Sequence, residues 1–118
     1  MDNLQPVLTA TDVCRTFVTP ETELHVLKGV NLQLKPAEIV AVTGASGVGK
    51  STLLHILGGL DRPTSGAVRI DDADLSPKSE TELANLRNEK VGFVFQFHYL
   101  LDDFTALENV MIPLLVAG

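Results

Sequence analysis

The chain is predicted to be an α/β fold in which an antiparallel β opening leads into a strand, a glycine turn and a helix. Three observations predict it. β-branched residues in rough alternation fill "VLTATDVCRTFV" (7–18) and return in "LHVLKGVNLQL" (24–34), the pattern of two strands joined by the turn "TPETE". "EIVAVTG" (38–44) is a nearly unbroken apolar run of strand length, which predicts a central parallel strand covered on both faces. "KSTLLHILGGL" (50–60) places Leu53, Leu54, Ile56 and Leu57 at helical spacing and closes on Gly58 and Gly59, residues favoured at a helix C-terminus.

The later elements follow in order. "DRPTSG" (61–66) is turn chemistry, and "AVRID" (67–71) a short strand. Ser79 with Glu82 forms the signature of a capping box that opens a polar helix, "SETELANLRNEK", with Leu83 and Leu86 turned inward and a charged, solvated outer face. "VGFVF" (91–95) predicts another buried strand. Thr105 and Glu108 repeat the capping signature ahead of "LENVMIPLLVAG", where Pro113 should kink or end the helix. No internal repeat, low-complexity tract or linker interrupts the chain, so residues 1–118 read as one continuous unit.

Composition narrows the function classes. The 118 residues are 45% hydrophobic and 20% charged, the balance of a globular α/β protein. The net charge of −6 is made with scattered Lys and Arg, which argues against a nucleic-acid partner. The single Cys14 permits no internal disulfide and suits a reducing compartment. His25, His55 and His98 have no metal-ligand spacing. The start "MDNLQPVLTA" does not read as a signal peptide, and no run approaches the roughly 20 apolar residues of a membrane-spanning helix.

The glycine turn carries the chemistry. Gly44, Ala45, Ser46, Gly47, Val48, Gly49, Lys50 and Ser51 match G-x-x-x-x-G-K-[ST], the phosphate-binding P-loop. A triphosphate needs inward-pointing backbone N–H groups with no Cβ in the way, and glycines supply them. The helix that starts near Lys50 aims its N-terminal dipole at the same anion. Lys50 is expected to reach the β- and γ-phosphates and Ser51 to place its hydroxyl on Mg²⁺, with Thr52 completing the cradle. The fold class is therefore a P-loop NTPase core behind an N-terminal antiparallel β subdomain, and a nucleoside triphosphate with Mg²⁺ the expected cofactor. Small kinases and GTPases are the enzyme alternative. The strands ahead of the loop and the absence of N-K-x-D and D-x-x-G patterns count against them. A nucleotide-gated interaction module without turnover is the other alternative.

The stretches "VLKGVNLQLKPAEIVAVTGASGVGKSTLLHILGGLDRPTSGAVRIDD" and "LRNEKVGFVFQFHYLLDDFTALENVMIPLL" resemble an ABC-transporter ATP-binding subunit, in particular the ATPases of bacterial lipoprotein-releasing transporters and their macrolide-export relatives. The resemblance covers almost the whole chain, as a partial ABC ATPase domain. It implies that Phe17 stacks on adenine, where the family often has Tyr; the plain reading of Phe17 is a core aromatic at a strand end. It implies that Gln96 is the glutamine-loop residue that touches Mg²⁺ and positions the attacking water, which would make Lys50 and Gln96 the catalytic residues here. It assigns the region after Gln96, "FHYLLDDF", to contact with a transmembrane permease subunit; alternatively Phe97, Tyr99 and Leu100 fold back into a small helical lobe. Asp102 departs from the Pro common in close relatives.

The resemblance further implies a dimer of two ATP-binding subunits, peripheral to the cytoplasmic face of the bacterial inner membrane, coupling ATP binding and hydrolysis to export or lipoprotein release. The second, Mg²⁺-holding carboxylate, the signature loop and the switch histidine of such ATPases do not occur in these residues. "LLDD" (100–103) is a poor stand-in for the carboxylate, since His98 and Tyr99 spoil the apolar run before it. The chain is therefore expected to be the N-terminal portion of a longer domain and inactive in hydrolysis alone, with sheet edges left unpaired.

Overall fold

The computed structural model describes residues 5–45, 49–95 and 99–117. Its sheet has four strands in the order β2-β1-β3-β4, all antiparallel. β1 (Leu8–Val18) and β2 (Glu23–Leu34) form the expected opening hairpin. Their turn is closed by reciprocal backbone bonds, Thr19 N–H to the Thr22 carbonyl at 2.8 Å and Thr22 N–H to the Thr19 carbonyl at 3.3 Å. β3 (Ser65–Ile70) pairs with the other edge of β1, and the two-residue β4 (Ala73–Asp74), which the sequence pattern did not announce, folds back on β3.

β1 does not alternate strictly. Ala10 and Val13 are both buried, three residues apart, with Thr11 and Asp12 exposed between them. Period-2 geometry would put those two apolar residues on opposite faces. The register slips between Ala10 and Val13, with Asp12 at φ 47°, and this bulge returns Val13 to the core. The Asp12 N–H donates to Asn31 Oδ1 at 3.0 Å, and Asn31 Nδ2 donates to Asp12 Oδ1 at 3.2 Å. The bulge thus leaves no orphaned donor there.

α1 (Lys50–Leu57) lays Leu53, Ile56 and Leu57 on the sheet, where they join Val13, Leu27, Val68 and Ile70. Leu54, expected on the same stripe, is 52% exposed; eight residues make just over two turns, so the buried stripe is narrow. Ile56, Val13 and Val68 are the most completely buried side chains, each contributing roughly 1.5–3 kcal/mol of transfer free energy. Gly59, at φ 79°, ends the helix as predicted.

α2 (Glu80–Lys90) opens with the predicted capping box and buries Leu83. Two arginines fasten it: Arg87 Nη1 donates to the Gly59 carbonyl at 2.7 Å, and Arg62 bonds the Ser76 and Lys78 carbonyls and Glu80. α3 (Ala106–Ala117) has the predicted reciprocal bonds between Thr105 and Glu108 at its start. It does not end at Pro113 but runs four residues beyond it.

Two expectations fail. Residues 38–44 and 91–95, predicted as buried strands, belong to no strand. Ile39 is fully exposed at 98% and Val94 at 102%. An apolar, β-branched sequence becomes a strand only when a neighbour completes its ladder, and no described residue pairs with either segment. The parallel pairing expected of the sheet is accordingly not formed among the described residues.

Candidate functional site

The junction between the glycine turn and α1 is built against β2. Gly49 has φ 97° and ψ 12°, a left-handed conformation that costs other residues about 1–2 kcal/mol. A Cβ placed there would lie 2.7 Å from Val26 Cγ1, 3.2 Å from the Val26 carbonyl and 3.3 Å from Leu27 Cδ2. Glycine is therefore required twice, by backbone angle and by packing, and at Gly49 the chain is pressed onto β2.

α1 starts at Lys50, with the Leu53 N–H bonded to the Gly49 carbonyl at 2.9 Å. Among the described residues no side chain caps this terminus, and its first turn holds no acidic residue to answer its partial positive charge. Lys50 turns back into the bend, where its Nζ donates to the carbonyls of Gly44 and Ala45, the latter at 3.0 Å. Ser51 is exposed and Thr52 half-buried, and among the described residues neither hydroxyl has a hydrogen-bond partner. The Lys50 ammonium and the Ser51 and Thr52 hydroxyls thus stand on the first turn of an uncapped helix, a donor set that suits a polyanion with its metal ion.

Ser46, Gly47 and Val48, predicted to supply inward-facing amides, lie outside the described residues, as do Gln96, Phe97 and His98. The segment before Gln96 is placed by Phe93, whose Cε1 would lie 2.6 Å from a Cβ on Gly58. Phe93 stacks on Phe95 at 5.4 Å between centroids, and Phe95 meets Tyr99 edge-on at 5.1 Å.

Phe17 lies near the end of β1, opposite Leu24, and is 38% exposed. It is not a core aromatic. Sequence reasoning missed its neighbour Arg15, whose guanidinium sits 4.5 Å above the ring centroid and whose Nε is 3.4 Å from Asp61 Oδ2. Nothing in the local sequence flags that pair, because Asp61 arrives from beyond α1.

Elsewhere, Tyr99, Leu100, Leu107, Leu114 and Leu115 are each more than half exposed, against the alternative that Tyr99 and Leu100 fold back into a lobe. Asp102 and Asp103 lie in a turn, not on a strand. Among the described residues no group of three His, Cys, Asp or Glu side chains is arranged to hold a metal. His25 instead bonds Thr16 Oγ1 at 2.9 Å and lies 3.7 Å from Glu23. A cavity of about 240 Å³ lies away from the glycine turn, between Ile56, Gly59, Arg62, Gly66 and Leu83. No described helix is long and apolar enough to cross a membrane.

Comparison with known proteins agrees with this geometry. The family model described as ABC transporter matches residues 27–116. The lipoprotein-releasing system ATP-binding protein LolD of Geobacter metallireducens is 53% identical over 98% of this chain and 51% of its own length. LolD of Hahella chejuensis is 51% identical over 96% and 49%. The dimeric ATP-binding cassette MJ0796, in a post-hydrolysis state bound to ADP and Pi, superposes with a TM-score of 0.89 at 42% identity, over 94% of this chain and 48% of that one. The chain spans about half the length of the curated relatives it matches. With the glycine turn, the antiparallel subdomain ahead of it and a family match over most of the sequence, the chain belongs to the ABC transporter family, as part of its ATP-binding domain.

Proposed function

We propose that the chain is the nucleotide-holding front part of an ATP-binding subunit that drives lipoprotein release, or a related export step, at the cytoplasmic face of the bacterial inner membrane. The observation that carries it is Lys50 at the uncapped start of α1, its Nζ donating to the carbonyls of Gly44 and Ala45. The names of relatives at about half identity support the lipoprotein assignment.

In this reading the amides of Gly44, Ala45, Ser46, Gly47, Val48 and Gly49 and the Lys50 ammonium hold the ATP phosphates. Ser51 and Gln96 hold Mg²⁺, Thr52 closes the cradle, and Phe17 receives the base. Gln96 also orients the attacking water. A second copy completes the working dimer, in keeping with the dimeric MJ0796 cassette. The exposed apolar residues after Gln96 meet a membrane-embedded permease subunit. The 118-residue chain by itself binds nucleotide without hydrolysing it, since the second carboxylate of such ATPases is not among its residues.

The test is calorimetric titration of the full-length protein with ATP and Mg²⁺. Lys50→Ala is expected to abolish measurable binding while leaving the far-UV circular dichroism unchanged. Undiminished ATP affinity in that variant would overturn the assignment.

A further inference from the structure

We propose that Arg15 is a positioning residue for the base-receiving ring, holding Phe17 at a fixed place relative to the phosphate-holding turn. The inference rests on the reading of Phe17 as the base platform and goes beyond it by naming what fixes the platform. Phe17 lies near the free end of β1, with Val18 beyond it 70% exposed and Leu24 opposite it 60% exposed. Those neighbours cannot hold the ring by burial, and a ring free to change rotamer loses entropy each time it orders against a ligand. Arg15 supplies the missing restraint. Its guanidinium lies 4.5 Å over the ring, a cation–π arrangement.

The guanidinium is itself tethered. Its Nε lies 3.4 Å from Asp61 Oδ2, ion-pair range, yet is a buried atom without a hydrogen-bond partner. The link is therefore coulombic, with the plane of the group given to the ring. Asp61 is in turn fixed to α1, because the N–H groups of Leu60 and Asp61 both donate to the His55 carbonyl, at 2.8 and 3.3 Å.

Across the hairpin, Arg15 pairs in register with Leu27, whose Cδ2 would lie 3.3 Å from a Cβ on Gly49. One side chain thus connects the ring to the C-terminal turn of α1, while its strand partner packs on the turn that starts the same helix. Ring and turn share one rigid reference. On β1 itself Phe17 is two residues from Arg15, on the order of 7 Å of β rise. The guanidinium lies over one ring face, and a flat heterocycle would stack on the other.

The test compares ATP with inorganic tripolyphosphate, which has the phosphates and no base, as titrants of the full-length protein. Arg15→Met is expected to weaken ATP about three- to fivefold, the loss of one exposed cation–π contact, and to leave tripolyphosphate affinity and the thermal midpoint unchanged. Arg15→Lys, which keeps a cation over the ring, is expected to restore most of the loss. If Arg15→Met does not fold, Asp61→Asn, which releases the guanidinium from its tether, is expected to show the same selective loss. Equal weakening of both titrants, or ATP affinity untouched in Arg15→Met and Asp61→Asn while Phe17→Ala weakens it, would overturn the role of Arg15 alone. ATP affinity untouched by Phe17→Ala would instead remove the base platform on which the inference stands.

Discussion

At the scale of single residues, two glycines show how differently one residue type is used. Gly49 bends the chain at φ 97° against a valine side chain, and Gly66, at φ 91°, sits against the bulge of β1. A Cβ on Gly66 would lie 2.7 Å from the Thr11 carbonyl oxygen and 2.6 Å from the Asp12 carbonyl carbon. Backbone cannot swing aside as the methyl of Val26 can. Gly66→Ala is therefore expected to destabilise by about 2–3 kcal/mol and Gly49→Ala by about 1–2 kcal/mol in urea titrations. The ordering matters more than the magnitudes, and a Gly49 variant costing more than a Gly66 variant would refute it. The phosphate turn was legible because its glycines keep a fixed spacing to Lys50. The Gly66 requirement was not, because it comes from a bulge that only the pairing of β1 with β3 creates.

Among the elements, α2 offers a pH-dependent signature. Ser79 Oγ accepts from the Glu82 N–H at 3.2 Å, and Glu82 Oε1 accepts from the Ser79 N–H at 3.0 Å. The backbone hydrogen bond from Ser79 is the main cause of a Glu82 pKa below its usual 4.5, with the Ser79 hydroxyl and Lys78 adding to it. A depressed folded-state pKa stabilises above the unfolded value, and the contribution fades as pH falls through the folded one. The carboxylate half of the cap is thus intact at pH 7 and fades in acid, below about pH 4.5, whereas the bond from the Glu82 N–H to the Ser79 hydroxyl does not titrate. Ser79→Ala is expected to cost about 1 kcal/mol at pH 7, and Glu82→Ala to destabilise at pH 7 with a smaller difference from the parent at pH 3, as measured by thermal melts at both values. Equal differences at the two pH values would count against the reciprocal cap.

The start of α3 is held differently. The Asn109 side chain accepts from the Leu101 N–H at 2.8 Å and donates to the carbonyls of Leu101, Phe104 and Thr105. Four bonds from one amide make the exposed apolar turn before α3 a built surface. Asn109→Ala is expected to loosen it, read as faster amide exchange at Leu101 with little change in the sheet.

For the molecule as a whole, the unpaired segments decide behaviour. Ile39, Val40, Val94 and Phe95 are exposed apolar residues on chain that belongs to no strand among the described residues, the condition that invites pairing with another chain. The isolated 118-residue chain is expected to bind a hydrophobic dye such as ANS and to unfold in urea with a shallow, incompletely reversible transition. A steep, reversible two-state transition would contradict this.

The amino-acid sequence by itself determined whatever depends on neighbours in the chain. The opening hairpin, the helix after the glycine turn, both capping boxes and the Gly44-to-Ser51 motif are local, set by spacing, capping and turn chemistry within a dozen residues. Only the tertiary structure decided the fate of 38–44 and 91–95, the bulge at Asp12 and the Arg15–Phe17–Asp61 arrangement. A strand exists only with its partner, and an ion pair across an intervening helix exists only once that helix has packed. Local pattern states what a segment can become, and long-range pairing chooses what it is.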